Sequence, residues 1–533
     1  MRIGKSKGKN SFDTRVVVCF FIIMLGFLSC ILRIVVITSK NYSEVQAEQS
    51  SYRVDIGPLR GTIFDCNRIP ITNSKIKKIA AVMPQSSSGI WLREAVAEDE
   101  RDRVLELLSG TAPFVTELVN EVGADGIVTT DYYCNDSSNI AAEHIVGYVG
   151  SDGHGVSGLQ QAYDWLLYSE KRASAVFKSN GIGELLKGEE IKIENDTSIV
   201  ASGVVSTIDI NLQLAAVEAA EKIKKGAVVV AEVKSGKIRA MVSKPSYNIE
   251  KVSDYLKLET SPLVNRCLSA YNVGSVFKLC VAATALEQGF SRQSFNCAGS
   301  ELIADRKFSC HEKSGHGFVD LKKAISQSCN VYFYNLAAKI GGDSIYGMAS
   351  SLGFGSRIKL CDGIYTNSGN LTDKALLSNS AELANLSIGQ GRLLLPPVSI
   401  LTLYCAIAND GCYRLPSIVE GIIEDGSFKG VQTVPETRAM SKENANILRE
   451  YLKGVISDGT GKAAKPRKCT AAGKTATAQT GKYTNGIEVT HSWFCGFFPA
   501  DNPQYAVSVF VEGGTGSAEV FANIADLIAE KKF

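Results

Sequence analysis

The chain lacks an excess of charge of either sign. Its 57 lysines and arginines stand against 55 aspartates and glutamates, a formal charge of +2 over 533 residues. Proteins whose main partner is a nucleic acid carry a strongly basic face or segment, so the composition predicts no nucleic-acid partner. Because the chain is longer than the size at which one hydrophobic core usually stops growing, we expect two or more domains.

The chain has no CxxC pair, although it contains 14 cysteines. That absence removes the usual spacing of redox and zinc-ribbon motifs. Several cysteines lie inside apolar runs and are predicted to pack as small hydrophobic core residues: Cys267, Cys280, Cys329, Cys405 and Cys495. We therefore expect mostly reduced thiols, with a bridge between Cys297 and Cys310 as the best disulfide candidate.

The sequence has a single apolar run of membrane-spanning length. As a helix, residues 16–37 would span about 33 Å, which matches the hydrocarbon core of a bilayer. Five basic residues and one acid precede this run. The positive-inside rule then predicts a cytoplasmic tail (1–15), a transmembrane helix (16–37) and an extracytoplasmic remainder. A cleaved signal peptide is the alternative, which the length of the run and the lack of a small-x-small site disfavour.

In the rest of the chain, the pattern of apolar and polar residues changes near residue 204. Residues 41–203 mix short alternating stretches with a charged amphipathic helix at about 91–108. After residue 204, strand-like runs come first and last, and residues 275–456 between them are mainly helical in pattern. This order predicts an α+β fold in which strands from both ends of the region form one antiparallel sheet covered by helices.

A serine and a lysine one helical turn apart are the first candidate for chemistry. Ser275 and Lys278 begin an apolar helix directly after Gly274. Residues three apart share a helix face, so the Lys278 amine can take the Ser275 proton if burial keeps that amine neutral. The first helical turn also offers backbone N–H groups to an oxyanion. The motif alone is weak, because the same spacing occurs at Ser6/Lys9, Ser74/Lys77 and Ser356/Lys359.

Two further segments can complete a site. Ser328-Cys329-Asn330 falls between two predicted helices, 319–327 and 331–340, where its serine and asparagine can point into a cleft. Lys474-Thr475-Ala476-Thr477 lies on a predicted edge strand. Its lysine and threonine can hold a substrate carboxylate while the strand backbone pairs with an extended peptide. The ordinary alternatives are a polar helix cap and a solvated edge strand.

In the order SxxK, SxN and KT(G), these motifs resemble the signature of penicillin-binding proteins and serine β-lactamases. Further segments resemble class B penicillin-binding proteins, in that family's order: Arg60–Asp65 (RGxIxD), Gly155–Gln160, Thr207–Gln213, Gly389–Gly391 and Trp493–Ala500. The resemblance implies an elongated α+β pedestal domain of the dimerisation type (41–203) after the transmembrane helix. It also implies a transpeptidase domain (204–533) with a five-stranded antiparallel sheet.

The resemblance implies a peptidoglycan D,D-transpeptidase and the roles of individual residues. Ser275 would attack the D-Ala–D-Ala carbonyl of a stem peptide, with Lys278 as the base. Ser328 would relay a proton to the leaving amine, and Asn330 would orient the substrate amide. The substrate carboxylate would bind Lys474 and Thr475, and the backbone N–H groups of Ser275 and Thr477 would form the oxyanion hole. β-Lactams should acylate the same serine, and no metal or organic cofactor is implied.

Three positions depart from the family pattern. Ala476 replaces the usual glycine of the third motif, and its methyl group is predicted to narrow the site and weaken acylation by β-lactams. Val273 stands where proline is usual, and Cys66 stands where arginine is common. Both of these replacements look tolerable.

A loose Cys₂His₂ spacing at Cys297, Cys310, His311 and His316 raises the alternative of a zinc site. Because a His-Gly pair such as His316-Gly317 is ordinary in the resembled family, packing or a disulfide is the favoured interpretation.

The resemblance leaves three functions open. Cross-linking for cell division, cell shape or sporulation would place the protein in the bacterial cell membrane. Its partners there would be stem peptides, a polytopic glycan polymerase and divisome proteins. Hydrolysis, as a D,D-carboxypeptidase or β-lactamase, is disfavoured by the RGxIxD segment and the N-terminal domain. A non-catalytic role as a divisome member or β-lactam sensor is favoured only by Ala476.

Overall fold

A computed structural model of the chain describes residues 10–39, 51–84, 88–123, 126–134, 141–178, 186 and 190–531. The chain forms two compact units, each built from several segments. The smaller unit contains residues 1–57, 77–132 and 172–195, and the larger contains 58–76, 133–171 and 196–533. Part of the predicted pedestal range therefore belongs to the same unit as the predicted transpeptidase range.

The N-terminal apolar run forms one helix, Asn10–Ser39. Its segment Thr14–Thr38 is long and apolar enough to cross a membrane, and none of its most apolar window is buried against the rest of the chain. Apolar side chains exposed over such a length are unstable in water and suit hydrocarbon. The predicted helix at 16–37 is confirmed as a single N-terminal apolar helix that suits a membrane anchor.

The smaller unit holds two sheets among its described residues. One has the strand order Phe114–Leu118, Lys75–Val82, Ile127–Cys134, and the other has Ser51–Pro58, Arg172–Lys178, Lys192–Glu194. The single helix predicted at 91–108 is wrong, because the structure has two helices there, Ser88–Ala95 and Arg101–Leu108. The carbonyl of Ala95 accepts from the backbone N–H groups of Val119 and Asn120, which ends the first helix.

The larger unit is built on a five-stranded antiparallel sheet. Its strand order is Ile238–Lys244, Gly226–Glu232, Tyr505–Val511, Ile487–Phe498 and Ala472–Thr484. The last of these strands lies at one side of the sheet and is called the edge strand below. Strands from the two ends of the region thus pair side by side, with Val228 opposite Val509. The predicted antiparallel sheet is confirmed.

Both faces of this sheet are buried, because successive side chains of a strand point to opposite faces. Val228 and Val230 pack on one face with the helices Ile210–Ala219 and Ser517–Lys531. Val229 and Ala231 pack on the other face in the main core, which includes the helices Lys278–Glu287 and Pro397–Ala408.

The remaining described α-helices of the larger unit are Glu143–Val146, Gly158–Ala162, Asp164–Leu167, Thr197–Ala201, Leu321–Ser326, Asn330–Ile340, Gly342–Ser351, Ser380–Ser387 and Lys442–Ser457. A second sheet has the order Thr62–Phe64, Gly203–Ser206, Val419–Glu424, Ser427–Gly430. Paired short strands are Tyr271–Asn272 with Leu394–Leu395, Ser294–Cys297 with Gly317–Asp320, Ser300–Ile303 with Arg306–Ser309, Lys359–Cys361 with Ile364–Tyr365, and Cys412–Tyr413 with Thr437–Arg438.

The helix predicted at 319–327 is shorter in the structure. Val319 belongs to the strand Gly317–Asp320, and the helix begins only at Leu321. The Asp320 carboxylate accepts from the backbone N–H of Lys323, so this residue is the N-cap that sets the boundary.

Candidate active site

The turn that carries Ser275 is held by a close backbone contact. Ser275 lies in a 3₁₀ turn, Gly274–Phe277, that leads directly into the helix Lys278–Glu287. The Gly274 N–H donates to the carbonyl of Gly389 at 2.8 Å. A Cβ atom on residue 389 would lie 2.0 Å from the Gly274 oxygen, and residue 389 has φ +74°. Glycine at 389 is therefore needed for the chain to approach this turn.

Two buried aromatic side chains fix the same turn by hydrogen bonds to its backbone. Trp493 donates its indole N–H to the Asn272 carbonyl at 2.9 Å, and the Tyr404 hydroxyl donates to the Val276 carbonyl at 3.3 Å. Both aromatic residues are fully buried. Because buried rings lock their own rotamers by packing, they keep Ser275 at a fixed position relative to the sheet.

The Lys278 side chain is fully buried and has three oxygen neighbours. Its Nζ lies 2.7 Å from the Ser328 carbonyl oxygen, 2.7 Å from Asn330 Oδ1 and 3.3 Å from Ser328 Oγ. A neutral amine fits this set, because it can donate to the two carbonyl oxygens and accept from the hydroxyl. Burial is the dominant cause that lowers the pKa of Lys278 to about 7.

Ser328 adopts a backbone conformation that is uncommon for a residue with a side chain. Its φ is +55°, between the helix that ends at Ser326 and the helix that begins at Asn330. The N–H groups of Ser328 and Cys329 donate back to the carbonyls of Ile325 and Ala324. This tight reversal presents both the carbonyl and the hydroxyl of Ser328 to the lysine. Strained backbone of this kind is concentrated at functional sites.

The edge strand brings a second buried lysine to the site. Lys474 is fully buried and donates to the carbonyl oxygen of Thr475 at 3.1 Å. Burial, and then the charge of Lys278, lower the pKa of Lys474.

Five of the predicted site residues line one cavity of about 620 Å³: Ser275, Ser328, Asn330, Thr475 and Thr477. The other two, Lys278 and Lys474, are fully buried and are not among its lining residues. Sequence reasoning missed Thr460, which also lines the cavity and whose hydroxyl lies 2.8 Å from that of Thr475. Nothing in its local sequence singled it out, since only the fold brings it to the edge strand.

The Ala476 methyl group, which was predicted to narrow the site, is largely buried. Ala476 is 6% exposed. A Cβ atom built on Gly274 would lie 3.3 Å from the Cβ atom of Ala476. Its methyl group therefore packs beside the turn that carries Ser275, and only a small part of it reaches the cavity. The predicted effect on β-lactam acylation remains a prediction.

A cluster of thiols and one imidazole lies at the Ser328-Cys329-Asn330 segment. It consists of Cys297, Cys310, His316 and Cys329, whose candidate ligand atoms all lie within 4.8 Å of one another. These residues could hold a metal ion. All cysteines of the chain are free thiols in the structure, including the suggested disulfide pair Cys297 and Cys310. Cys329 was predicted as core packing; it is fully buried, but it belongs to this cluster.

Comparisons with known proteins agree with this geometry. Residues 226–530 match the family model of the penicillin binding protein transpeptidase domain. The chain is 28% identical to stage V sporulation protein D of Bacillus subtilis over 72% of this chain and 61% of that protein. It is 28% identical to the peptidoglycan D,D-transpeptidase MrdA of Acinetobacter baumannii over 70% of this chain and 60% of that protein. The chain thus spans about 60% of the length of these curated relatives.

Solved structures share the fold. The D,D-transpeptidase domain of a peptidoglycan glycosyltransferase from Eggerthella lenta superposes with a TM-score of 0.64 at 25% identity, covering 89% of this chain and 98% of that one. Penicillin-binding protein 3 of Mycobacterium tuberculosis, complexed with aztreonam, gives 0.65 at 22% identity over 90% and 97%. Penicillin-binding protein 2 of Helicobacter pylori, solved in complex with MreC, gives 0.65 at 21% identity over 90% and 99%.

The matched family model covers more than half of the chain, and the elements it matches are those that carry the cavity and the two buried lysines. The resemblance drawn from the motifs is thereby confirmed, and the chain belongs to the penicillin-binding protein transpeptidase family, among the class B proteins.

Proposed function

We propose that this chain is a peptidoglycan D,D-transpeptidase that forms an acyl-enzyme at Ser275 and also binds penicillin. The observation that carries the proposal is the Lys278 amine, fully buried among neutral oxygen atoms beside a cavity lined by Ser275. A lysine whose pKa is lowered to about 7 is a usable general base near neutral pH. Serine needs such a base, because its hydroxyl is a weak nucleophile by itself.

In the acylation step, Lys278 acts as the base. The neutral Lys278 amine removes the Ser275 proton as Oγ attacks the carbonyl carbon between the two terminal D-Ala residues. The resulting oxyanion would be held by the backbone N–H groups of Ser275 and Thr477, at the start of a helix and on the edge strand. The tetrahedral intermediate then expels the terminal D-Ala amine, which takes up a proton relayed from Lys278 through Ser328.

The second step returns the enzyme to its starting state. An amine from a neighbouring stem peptide attacks the acyl carbonyl, and its proton passes to Lys278. The new amide bond forms as the bond to Ser275 Oγ breaks, and the serine recovers a proton. Asn330, which accepts from Lys278 through Oδ1, would orient the substrate amide with its remaining hydrogen-bonding capacity.

The edge strand would bind the donor peptide. Its outer side offers backbone groups for pairing with an extended peptide, as in strand addition. Lys474 and Thr475 would hold the terminal carboxylate. That carboxylate raises the pKa of Lys474 as it binds, and a charged Lys474 in turn favours the neutral form of Lys278, because the two sites interact.

The anchor and the family support a cellular setting. The basic residues before the apolar helix support a cytoplasmic N-terminus, with the transpeptidase domain (204–533) outside the membrane. We take residues 41–203 as the pedestal between them. A polytopic glycan polymerase and divisome proteins are the proposed partners. The solved complex of a fold relative with MreC supports a protein partner in general.

Labelling with a fluorescent penicillin tests the proposal. Membranes that contain the wild-type chain should become labelled, and the Ser275→Ala variant should not. Ser356→Ala is the matched control, because Ser356 and Lys359 share the SxxK spacing, whereas Lys359 pairs with Asp362. A D-Ala–D-Ala peptide with an added acceptor amine should give the cross-linked product. Release of D-Ala without that product would instead support a carboxypeptidase, and absence of labelling would support the non-catalytic alternative.

A further inference from the structure

We propose that Cys297, Cys310, His316 and Cys329 form a binding site for one zinc-type divalent ion, which positions the Ser328-Cys329-Asn330 segment of the active site. Three thiolates and one imidazole make up a closed structural zinc site, and soft sulfur ligands select zinc-type ions over magnesium or calcium. The four residues come from separate segments that only the fold brings together, so their sequence spacing matches no standard motif.

The distances fit a tetrahedral ion. With metal–sulfur bonds of about 2.3 Å and metal–nitrogen bonds of about 2.0 Å, sulfur and nitrogen ligands lie about 3.5 Å apart and two sulfurs about 3.8 Å apart. The His316 Nδ1 atom lies 3.5 Å from Cys297 Sγ and 3.6 Å from Cys310 Sγ. All four ligand atoms lie within 4.8 Å of one another.

Hydrogen bonding between the thiols and the imidazole explains the cluster less well than a bound metal ion does. A ring nitrogen has either one N–H or one lone pair in the ring plane, so it cannot make two good hydrogen bonds at once. His316 Nδ1 nevertheless faces two thiols at nearly equal distances. An ion at the centre would satisfy the nitrogen and all three sulfurs together. The three cysteines are at most 4% exposed, so bulk solvent does not offer their thiols a partner.

The cluster is tied to the catalytic groups through Cys329 and Cys310. Cys329 lies in the chain between Ser328 and Asn330, and both of these residues bond to Lys278. The Asn330 N–H donates to Cys310 Sγ at 3.4 Å, and the Asn330 side-chain amide donates to the Ser309 carbonyl at 3.1 Å. An ion bound here would hold Asn330 and the left-handed Ser328 backbone in place. The ion is a positioning group and touches no substrate.

Binding has a defined proton balance. Each of the three thiols loses its proton to solvent as its metal–sulfur bond forms, and His316 binds as neutral imidazole through Nδ1. No oxidant or reductant is involved. Affinity should therefore fall in acid, as for other thiolate metal sites.

The site is tested by metal analysis of the full-length chain purified in detergent with zinc supplied and then dialysed. Wild type should retain about one zinc ion per chain and should bind cobalt(II) with thiolate charge-transfer and tetrahedral d–d absorption bands. His316→Ala and Cys329→Ser should lose the ion and these bands. His311→Ala is the matched control and should keep them, because His311 neighbours Cys310 but lies outside the group of four.

A second control removes a buried thiol elsewhere. Cys405→Ser changes a cysteine of a core helix and should retain the metal. A wild-type chain that retains no zinc, with its thiols either free to alkylate or joined in a disulfide, would overturn the proposal. Equal metal content in His316→Ala and His311→Ala would overturn the assignment of the ligand.

The positioning role rests on the proposed function and has its own readout. Chelation should lower the limiting rate of Ser275 acylation by penicillin at least tenfold, while the circular dichroism spectrum remains that of the folded protein. Adding zinc should restore the rate, and adding calcium should not. An unchanged rate after the ion is removed would contradict the positioning role. If no form of the protein reacts with penicillin, the proposed function fails, whereas metal content still decides the site.

Discussion

The buried cations of the larger unit fall into two groups with opposite surroundings. Away from the cavity, both buried arginines have a carboxylate partner: Arg60 bonds to Asp164 and Arg266 to Glu512, each at 2.7 Å. At the cavity, Lys278 and Lys474 are fully buried, and their hydrogen-bond acceptors are carbonyl and hydroxyl oxygens.

This difference separates structural charges from reactive ones. A buried arginine stays charged, so it needs a counter-charge to offset the loss of water. A buried lysine without a counter-charge responds by a fall in its pKa, which makes its amine available as a base. The arginine pairs therefore stabilise the fold. The two lysines lower the stability of the fold but provide reactive amines, a combination that is common at active sites.

The largest effect is expected from Lys278→Met. Without the base, the limiting rate of Ser275 acylation by fluorescent penicillin should fall by about 10²–10⁴-fold. The thermal unfolding midpoint should rise by a few degrees. The folded pKa of Lys278 is about 7 and the unfolded value is near 10.5, so over that pH range the unfolded chain binds the extra proton and the wild-type lysine destabilises the fold. A midpoint below that of wild type would contradict this assignment.

Arg266→Met should show the reverse pattern. It leaves Glu512 half-buried without its partner and removes donors to the carbonyls of Thr260 and Ser261. The free energy of unfolding should fall by about 2–3 kcal/mol, measured as a lower thermal midpoint. The acylation rate of the protein that remains folded should stay near wild type. A selective loss of acylation without a loss of stability would break the distinction between the two groups.

Thr460→Val tests whether the Thr460 hydroxyl contributes to ligand binding at the proposed carboxylate-binding end of the cavity. The substitution keeps the shape of the side chain and removes the hydroxyl that lies 2.8 Å from Thr475 Oγ1. One neutral hydrogen bond contributes about 1 kcal/mol. We therefore expect the penicillin concentration that gives half the limiting acylation rate to rise about fivefold. The limiting rate should change little, since Lys278 is untouched. A loss confined to the limiting rate would argue against a binding role.

The smallest effect is expected from Ala476→Gly. The methyl group is mostly buried beside Gly274, so its removal should raise the acylation rate by about threefold at most, through closer approach of the ligand to the strand. A stopped-flow comparison with wild type measures this change. An increase of a hundredfold would show that the methyl group obstructs the groove itself.

The sheet and the catalytic motifs were accessible from sequence because their signals are local. The apolar strands around Val228 and Val509 and the serine–lysine spacing at 275 and 278 are all contained in short windows. The helix predicted across residues 91–108 failed because hydrogen bonds from Val119 and Asn120 end it, and these partners lie far along the chain.

Long-range convergence explains what sequence reasoning missed at the site. Cys329 has the surroundings of a core residue in sequence, and only the folded chain places its thiol among those of Cys297 and Cys310. Thr460 likewise reaches Thr475 across a separation of 15 residues that carries no motif. Residues whose role depends on a neighbour from another segment have no local pattern by which to find them.

The most direct test of the account is the pH dependence of the limiting rate of Ser275 acylation at saturating penicillin. If neutral Lys278 is the base, the rate should rise about tenfold between about pH 6 and about pH 8, with a midpoint near pH 7, as the amine loses its proton. A rate that is flat over this range, or that rises only above about pH 9, would mean that the amine is an ordinary ammonium group and would contradict the account.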